Sequence, residues 1–382
     1  MMKQFYNMKP YLSINREQWQ DIISKYDKEQ IVDELAKCLH TYPCPIPNIT
    51  DEQVRDSFTK LKGISHKDLL VEGKWFPRNE QESDYELKDL YFKKDNTGNN
   101  ASNKFHINNR WFVDWTRTPS AGKTWQTVEG IKTIVRAFFT LDKVLLEVNE
   151  QNIRMAATLR KYIASQFKPS IAKAFYDYYG SVNVLDFSAG WGDRLAGFYA
   201  CENTRNYLGI DPNTKNHIGY KQQIEFYKTH QTFLEEDKHV EMICSPAEDV
   251  DYANYTNYFD TIFTSPPYFN TEKYSDEDTQ SYIRYKEIED WNKNFLHKTI
   301  FKIVPTLRKG GVLAINIADV FASKYNKFVD ICNSMNNFIR IQGLEYQGCI
   351  GMEMTKRFNS TADTEANKDK KFGEPIWVWK KC

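Results

Sequence analysis

The chain has 382 residues, 41% of them hydrophobic and 27% charged, with 51 Lys plus Arg balancing 51 Asp plus Glu. That length exceeds one ordinary core and fits two domains, and the composition is that of a globular protein rather than a disordered or fibrous one. No apolar run approaches the roughly 20 residues that span a bilayer, the N-terminal stretch MMKQFYNMKPYLSINREQW has no apolar signal segment, and seven scattered cysteines without a C-x-x-C pair argue against a zinc site or a disulfide framework, so a cytoplasmic location is expected.

Residues 1–150 show no regular alternation of strands and helices and are expected to form an N-terminal mixed or α-rich domain. A helix is predicted from Glu17 to His40, then a proline-rich loop, TYPCPIPN. The stretch KKDNTGNNASNK, Lys93 to Lys104, reads as an exposed turn or flexible segment. A long helical pattern, TVEGIKTIVRAFFTLDKVLLEV, leads into the second half. Charge is uneven: Ala101 to Phe175 holds 12 Lys plus Arg against 5 Asp plus Glu, an excess of seven positive charges. Within it, NNRWFVDWTRTPSAGKTW mixes Arg110, Arg117 and Lys123 with Trp111, Trp115 and Trp125. Cations neutralise phosphates and aromatic rings stack on displaced bases, so Arg110, Trp111, Arg117 and Lys123 are candidate nucleic-acid contacts. A tryptophan core flanked by solvated cations is the equal alternative. AGKTW is not a P-loop, because the pattern needs glycine where Arg117 stands.

From residue 151 to 382 the texture changes. Two helical segments, NIRMAATLRKYIASQF and PSIAKAFYDYYG, precede short apolar strands alternating with helices: NVLDF, RNYLGID, HVEMICS, FDTIFTS and GGVLAINIAD. KYNKFVDICNSMNNF reads as a last helix, and LEYQGCIGM with EPIWVWKK as a closing antiparallel pair. This alternation predicts an α/β, doubly wound, mostly parallel sheet with an antiparallel edge hairpin. The polar link TKRFNSTADTEANKDKKFGE is expected to be mobile.

Ligands of such sheets bind outside the carboxyl ends of the strands. The first strand ends at Asp186 and turns through Ser188, Gly190 and Gly192 into a helix. This is not the dinucleotide fingerprint, since Leu195 stands where its third glycine belongs. The second strand ends at Asp211, placed for a ribose diol, and the third leads to Glu248 and Asp249. The fourth ends in Ser265-Pro266-Pro267-Tyr268. An exocyclic amino nitrogen on a planar base has its lone pair delocalised into the ring. A corner stiffened by two prolines holds hydrogen-bond acceptors still against such an amino group, and Tyr268 can stack on the base.

DFSAGWG followed by TSPPY resembles the S-adenosylmethionine-dependent amino-methyltransferases of DNA, which act on N4 of cytosine or N6 of adenine. The resemblance covers residues 151–382. It implies a Rossmann-like class I methyltransferase fold. Ser265, Pro266, Pro267 and Tyr268 would hold and stack a flipped base, with serine in first place resembling the cytosine-N4 members. Asp186, Ser188, Gly190 and Gly192 would line the methionine part of S-adenosyl-L-methionine, Asp211 its ribose, Glu248 or Asp249 its adenine, and Phe167 and Pro169 would flank it. No metal is implied. The glycine corner departs from the D-P-F-x-G-S-G of many members. Target recognition would fall to residues 1–150, helped by the loops Thr271–Arg284 and Thr355–Glu374. The implied partner is DNA, with a restriction-modification nuclease as a candidate companion. Alternatives are the same chemistry on RNA, a non-catalytic nucleic-acid-binding module of this fold, and a small-molecule enzyme.

Overall fold

In this computed structural model, which describes residues 11–77, 84–230, 237–322, 326–355 and 367–382, the strands in chain order are β1 (Leu70–Glu72), β2 (Trp75–Pro77), β3 (Leu87–Phe92), β4 (Asp114–Trp115), β5 (Asn183–Asp186), β6 (Asn206–Ile210) and β7 (His239–Ile243). They continue as β8 (Phe259–Thr264), β9 (Glu272–Lys273), β10 (Leu307–Asn316), β11 (Val320–Ala322), β12 (Lys327–Val329), β13 (Leu344–Glu353) and β14 (Lys371–Lys381). Among the described residues ten of them form one sheet in the order β1-β3-β13-β14-β10-β8-β5-β6-β7, with β2 beside β14. Strands β7, β6, β5, β8 and β10 run parallel, and β14 runs antiparallel between β10 and β13. This is a doubly wound, Rossmann-like α/β sheet. The antiparallel closing pair is present, and β1 and β3, from the part of the chain read as irregular, continue the sheet beyond it.

Both faces of the central strands are covered, which is why β5, β8 and the second half of β10 read as apolar runs. Successive residues point to opposite sides. Leu185, Ile262, Leu313 and Trp377 enter one core. Their neighbours Val184, Phe263, Ala314 and Val378 enter the other, where Phe263 stacks on Phe175 at 4.0 Å. The helix Pro169–Tyr179 has proline in its first turn and stops at Gly180, whose φ of 59° is the left-handed conformation that glycine adopts without strain.

The chain packs as two units. One holds Met1–Asn48, Ile107–Ser165 and Glu272–Tyr274, and the other Ile49–His106, Gln166–Thr271 and Ser275–Cys382. The division is therefore not a single cut near residue 150, because β1–β3 pair into the large sheet. In the first unit, Trp19, Ile31, Val32, Leu35, Trp111, Trp125, Ile131, Ile134 and Phe138 are buried, and β4 pairs with β9.

Several segments differ from their sequence patterns. The helix expected over 17–40 is two, Arg16–Lys25 and Lys28–Leu39, because the Asp27 carboxylate caps the second by accepting the Glu29 and Gln30 amides. The segment Lys93–Lys104 is not an exposed loop: a helix starts at Asn99, and Ala101 and Ser102 are fully buried. The long pattern over 127–148 breaks into Val128–Val135 and Ala137–Thr140. The segment read as one helix from Lys324 holds, in its described part, the antiparallel strand β12 and helix only over Cys332–Ile341, with the Ile331 and Cys332 amides donating to Asp319. Most of the polar link before β14, residues 356–366, lies outside the described residues.

Candidate active site

Asp186 ends β5 and is completely buried. Its carboxylate accepts Arg194 Nε at 2.8 Å and Nη2 at 3.2 Å, Tyr207 OH at 2.8 Å, Thr264 Oγ1 at 2.8 Å and the Ser188 amide at 3.3 Å. A carboxylate offers about four lone-pair positions, so this one is saturated inside the fold. Asp186 therefore organises the corner and presents no free oxygen to a ligand. Arg194 also donates to Ser188 O and lies over the half-buried Phe167 ring at 5.1 Å. The neighbouring carboxylate raises its pKa further although burial opposes the charge.

The two glycines of the corner serve different ends. Gly190 has φ of 60°, its amide donates to Asp211 Oδ2 at 2.9 Å, and a Cβ there would meet only Ser188 O at 3.8 Å. It is open on the side a ligand would approach. Gly192 has φ of 67°, and a Cβ would lie 2.1 Å from Gln223 Oε1 and 3.0 Å from His106 Nε2. Its need for glycine comes from packing. Pro169 likewise acts in packing, its carbonyl 3.0 Å from where a Cβ on Gly197 would stand.

Asp211, at the tip of β6, accepts the amides of Gly190 and Asn213 and the Tyr220 hydroxyl. Three donors leave room for one more. Burial pushes its pKa up to about 6, against the hydrogen bonds that favour the charged form. Of the two acids after β7, the structure turns Glu248 inward and Asp249 outward. Asp249 is an exposed ion-pair partner of Arg284 and Lys298. Glu248 is 1% exposed; its Oε1 accepts Arg284 at 2.6 Å and Tyr285 OH at 3.1 Å, while its buried Oε2 has no hydrogen-bond partner. Burial, the largest influence, raises its pKa. The segment 277–285 thus faces the tips of β6 and β7, and Glu277 accepts the Thr214 amide at 3.2 Å.

The fourth tip is Ser265–Tyr268. Pro266 is buried, and Ser265, Pro267 and Tyr268 are half-buried. Phe269 follows with φ of 54°, a left-handed conformation that costs a side-chain-bearing residue about 1–2 kcal/mol. Its ring is buried against Trp291 at 6.1 Å, which holds the strained turn in place. Ser265 Oγ donates to Asn316 Oδ1 at 3.1 Å, and Tyr268 OH lies 3.4 Å from both Asn316 Oδ1 and Glu374 Oε2. Burial, and then the nearby Glu374 charge, push the Tyr268 phenol well above its ordinary value. Asn316 and Glu374 escaped the sequence reading. For Asn316 there was a signal: like Asp186 and Thr264, it is a polar residue closing a buried strand.

The candidate nucleic-acid contacts fare differently. Trp111 is 2% exposed and presents no face to a base. Arg110 donates twice to Ala164 O and Lys123 pairs with Asp114 at 2.9 Å. Arg117 is exposed, 5.5 Å from the Trp115 ring. Part of the basic excess pairs with acids from elsewhere in the same unit: Lys104 with Asp51, Lys132 with Asp33 and Arg136 with Glu29. The count along the chain therefore overstated the field available to a polyanion.

No family model and no curated protein matches the chain. Solved structures do. The chain is similar to an S-adenosylmethionine-dependent methyltransferase from Mesorhizobium loti (10% identity, 55% of this chain and 96% of that one, TM-score 0.31). It is also similar to the N-methyltransferase NodS from Bradyrhizobium japonicum WM9 (10%, 53% and 86%, TM-score 0.33) and to NSun6 from Pyrococcus horikoshii (18%, 58% and 53%, TM-score 0.36). Among the described residues no helix is long and apolar enough to cross a membrane.

Proposed function

We propose that this chain is a methyltransferase that uses S-adenosyl-L-methionine and modifies the exocyclic amino group of a flipped base in DNA, N4 of cytosine before N6 of adenine. The observation that carries this reading is the bond from Thr264 to Asp186, 2.8 Å long. It fastens the proline corner to the glycine corner, so a rigid acceptor site and an open left-handed glycine share one edge of the sheet.

The residues fit the cofactor. The open space at Gly190, the remaining acceptor position on Asp211 and the partnerless buried Glu248 Oε2 suit the backbone approach, hydroxyls and amino group of a nucleoside. When bound, the cofactor supplies an electrophilic methyl group on a sulfonium. The protein contributes position: Pro266 and Pro267 stiffen the corner, Ser265 offers an acceptor to the amino group, and Tyr268 stacks on the base. Flipping the base costs roughly a few kcal/mol. Transfer to a ring carbon through a thiolate has no support here. Cys332, behind this corner, is buried and donates its thiol to Ile317 O at 3.4 Å, and burial keeps it protonated.

The test is incubation with labelled S-adenosylmethionine and duplex DNA, single-stranded DNA or RNA, followed by digestion to nucleosides and mass spectrometry. N4-methylcytosine or N6-methyladenine in DNA supports the proposal, and a label only in RNA moves the substrate. Absence of transfer to every polymer, or transfer unaffected by Pro266→Ala with Tyr268→Ala, overturns it.

A further inference from the structure

Asn316 closes β10, is 1% exposed, and stands beside the proline corner on the adjacent strand. Its side-chain nitrogen donates to Pro375 O at 2.9 Å. A backbone carbonyl can only accept, so this bond fixes which way the amide faces. The side-chain oxygen must then face Ser265 and Tyr268, at 3.1 and 3.4 Å. An amide oxygen can only accept, so Ser265 donates to it; with Tyr268 as the other hydroxyl in reach of Ser265 Oγ, one of its two lone pairs is left for a donor from outside. A serine hydroxyl is otherwise free to rotate and to serve as donor or acceptor. Here the antiparallel strand β14, through Pro375, decides the matter two residues removed from the substrate.

We infer that Asn316 is a positioning residue that locks the Ser265 hydroxyl as a hydrogen-bond acceptor, which selects a target carrying a transferable N–H. The inference rests on the proposed amino-group reading and adds to it the residue that sets the polarity of the site. A target without an N–H, such as a dimethylated amino group, meets an oxygen lone pair with nothing to donate.

The test is a double-mutant cycle on the polymer that the wild type methylates. Ser265→Ala and Asn316→Ala are each expected to lower kcat/KM for the polymer about tenfold, the size of one well-placed hydrogen bond to the amino group, with cofactor affinity unchanged. Because both remove the same interaction, the double variant should also lose about tenfold and not about a hundredfold. Additive losses overturn the inference while leaving the amino-methyltransferase reading intact. No transfer by the wild type to any amino group overturns both. Should Asn316→Ala fail to fold, competition binding replaces it. Oligonucleotides with N4,N4-dimethylcytosine in place of the target cytosine should bind the wild type about tenfold more weakly, with the difference erased in Ser265→Ala. Equal binding of the two oligonucleotides by the wild type overturns the inference.

Discussion

Thr264 donates its hydroxyl to Asp186 across the junction of β8 and β5, 78 residues apart in the chain. The same carboxylate holds Arg194, so one buried charge pair anchors the turn on one side and the strand tip on the other. Removing one partner of a buried pair leaves an uncompensated charge, which typically costs about 3–5 kcal/mol. Asp186→Ala should lose that much in urea unfolding. Thr264→Val, which keeps the shape and loses one hydrogen bond, should lose about 1–2 kcal/mol. Equal losses would mean that Arg194 finds another acceptor.

The glycines of the corner make opposite predictions. Gly192→Ala forces a methyl into Gln223 at a positive φ, so it should lower the melting temperature by several degrees or prevent folding. Gly190→Ala meets no clash. It should cost about 1 kcal/mol for the backbone alone while weakening S-adenosylmethionine binding at least tenfold in calorimetry. Wild-type affinity in a folded Gly190→Ala would place the cofactor elsewhere.

Asp211 gives a pH signature. Its folded pKa, about 6, is above the ordinary carboxylate value of 3.8. A raised acid binds more protons in the folded state, so its contribution to stability is present below about pH 4 and is lost as pH rises through about 6. The difference in unfolding free energy between wild type and Asp211→Asn should fall by on the order of 2–3 kcal/mol between pH 4 and 7. A donor bonded to the carboxylate favours its charged form. Cofactor affinity should therefore rise over the same interval in the wild type and stay flat in the variant.

Trp111 and Arg117 separate packing from recognition. Trp111→Ala opens a cavity in the first unit and should cost about 3–5 kcal/mol. Arg117→Ala should leave stability within about 0.5 kcal/mol. If Arg117 meets a phosphate, the slope of log affinity against log salt will drop by about one unit. An unchanged slope removes Arg117 from the interface.

The central parallel strands were legible because burial on both faces makes them largely apolar, and three of them lead into a marked residue: Asp186, Asp211, Ser265. Strands β1 to β3 were not. They are three to six residues long with mixed burial; β1 pairs with β3, and the partners that tie β3 and β2 into the sheet, β13 and β14, lie more than 250 residues away in the chain. Glu374 was invisible for a similar reason: only the antiparallel course of β14 carries its first residues to the strand tips. Trp111 and Trp125 illustrate the reverse error, since a Trp-Arg-Lys mixture reads alike whether its rings are inside or out.

Strand β14 pairs with β2, β10 and β13, all of them earlier in the chain. During synthesis those strands emerge with a gap between β10 and β13 that no earlier segment fills. The apolar edges of the nascent sheet stay open until Ile376, Trp377, Val378 and Trp379 leave the ribosome. Long-range pairings of this kind close slowly. In that interval the exposed edges of β10 and β13 invite aggregation.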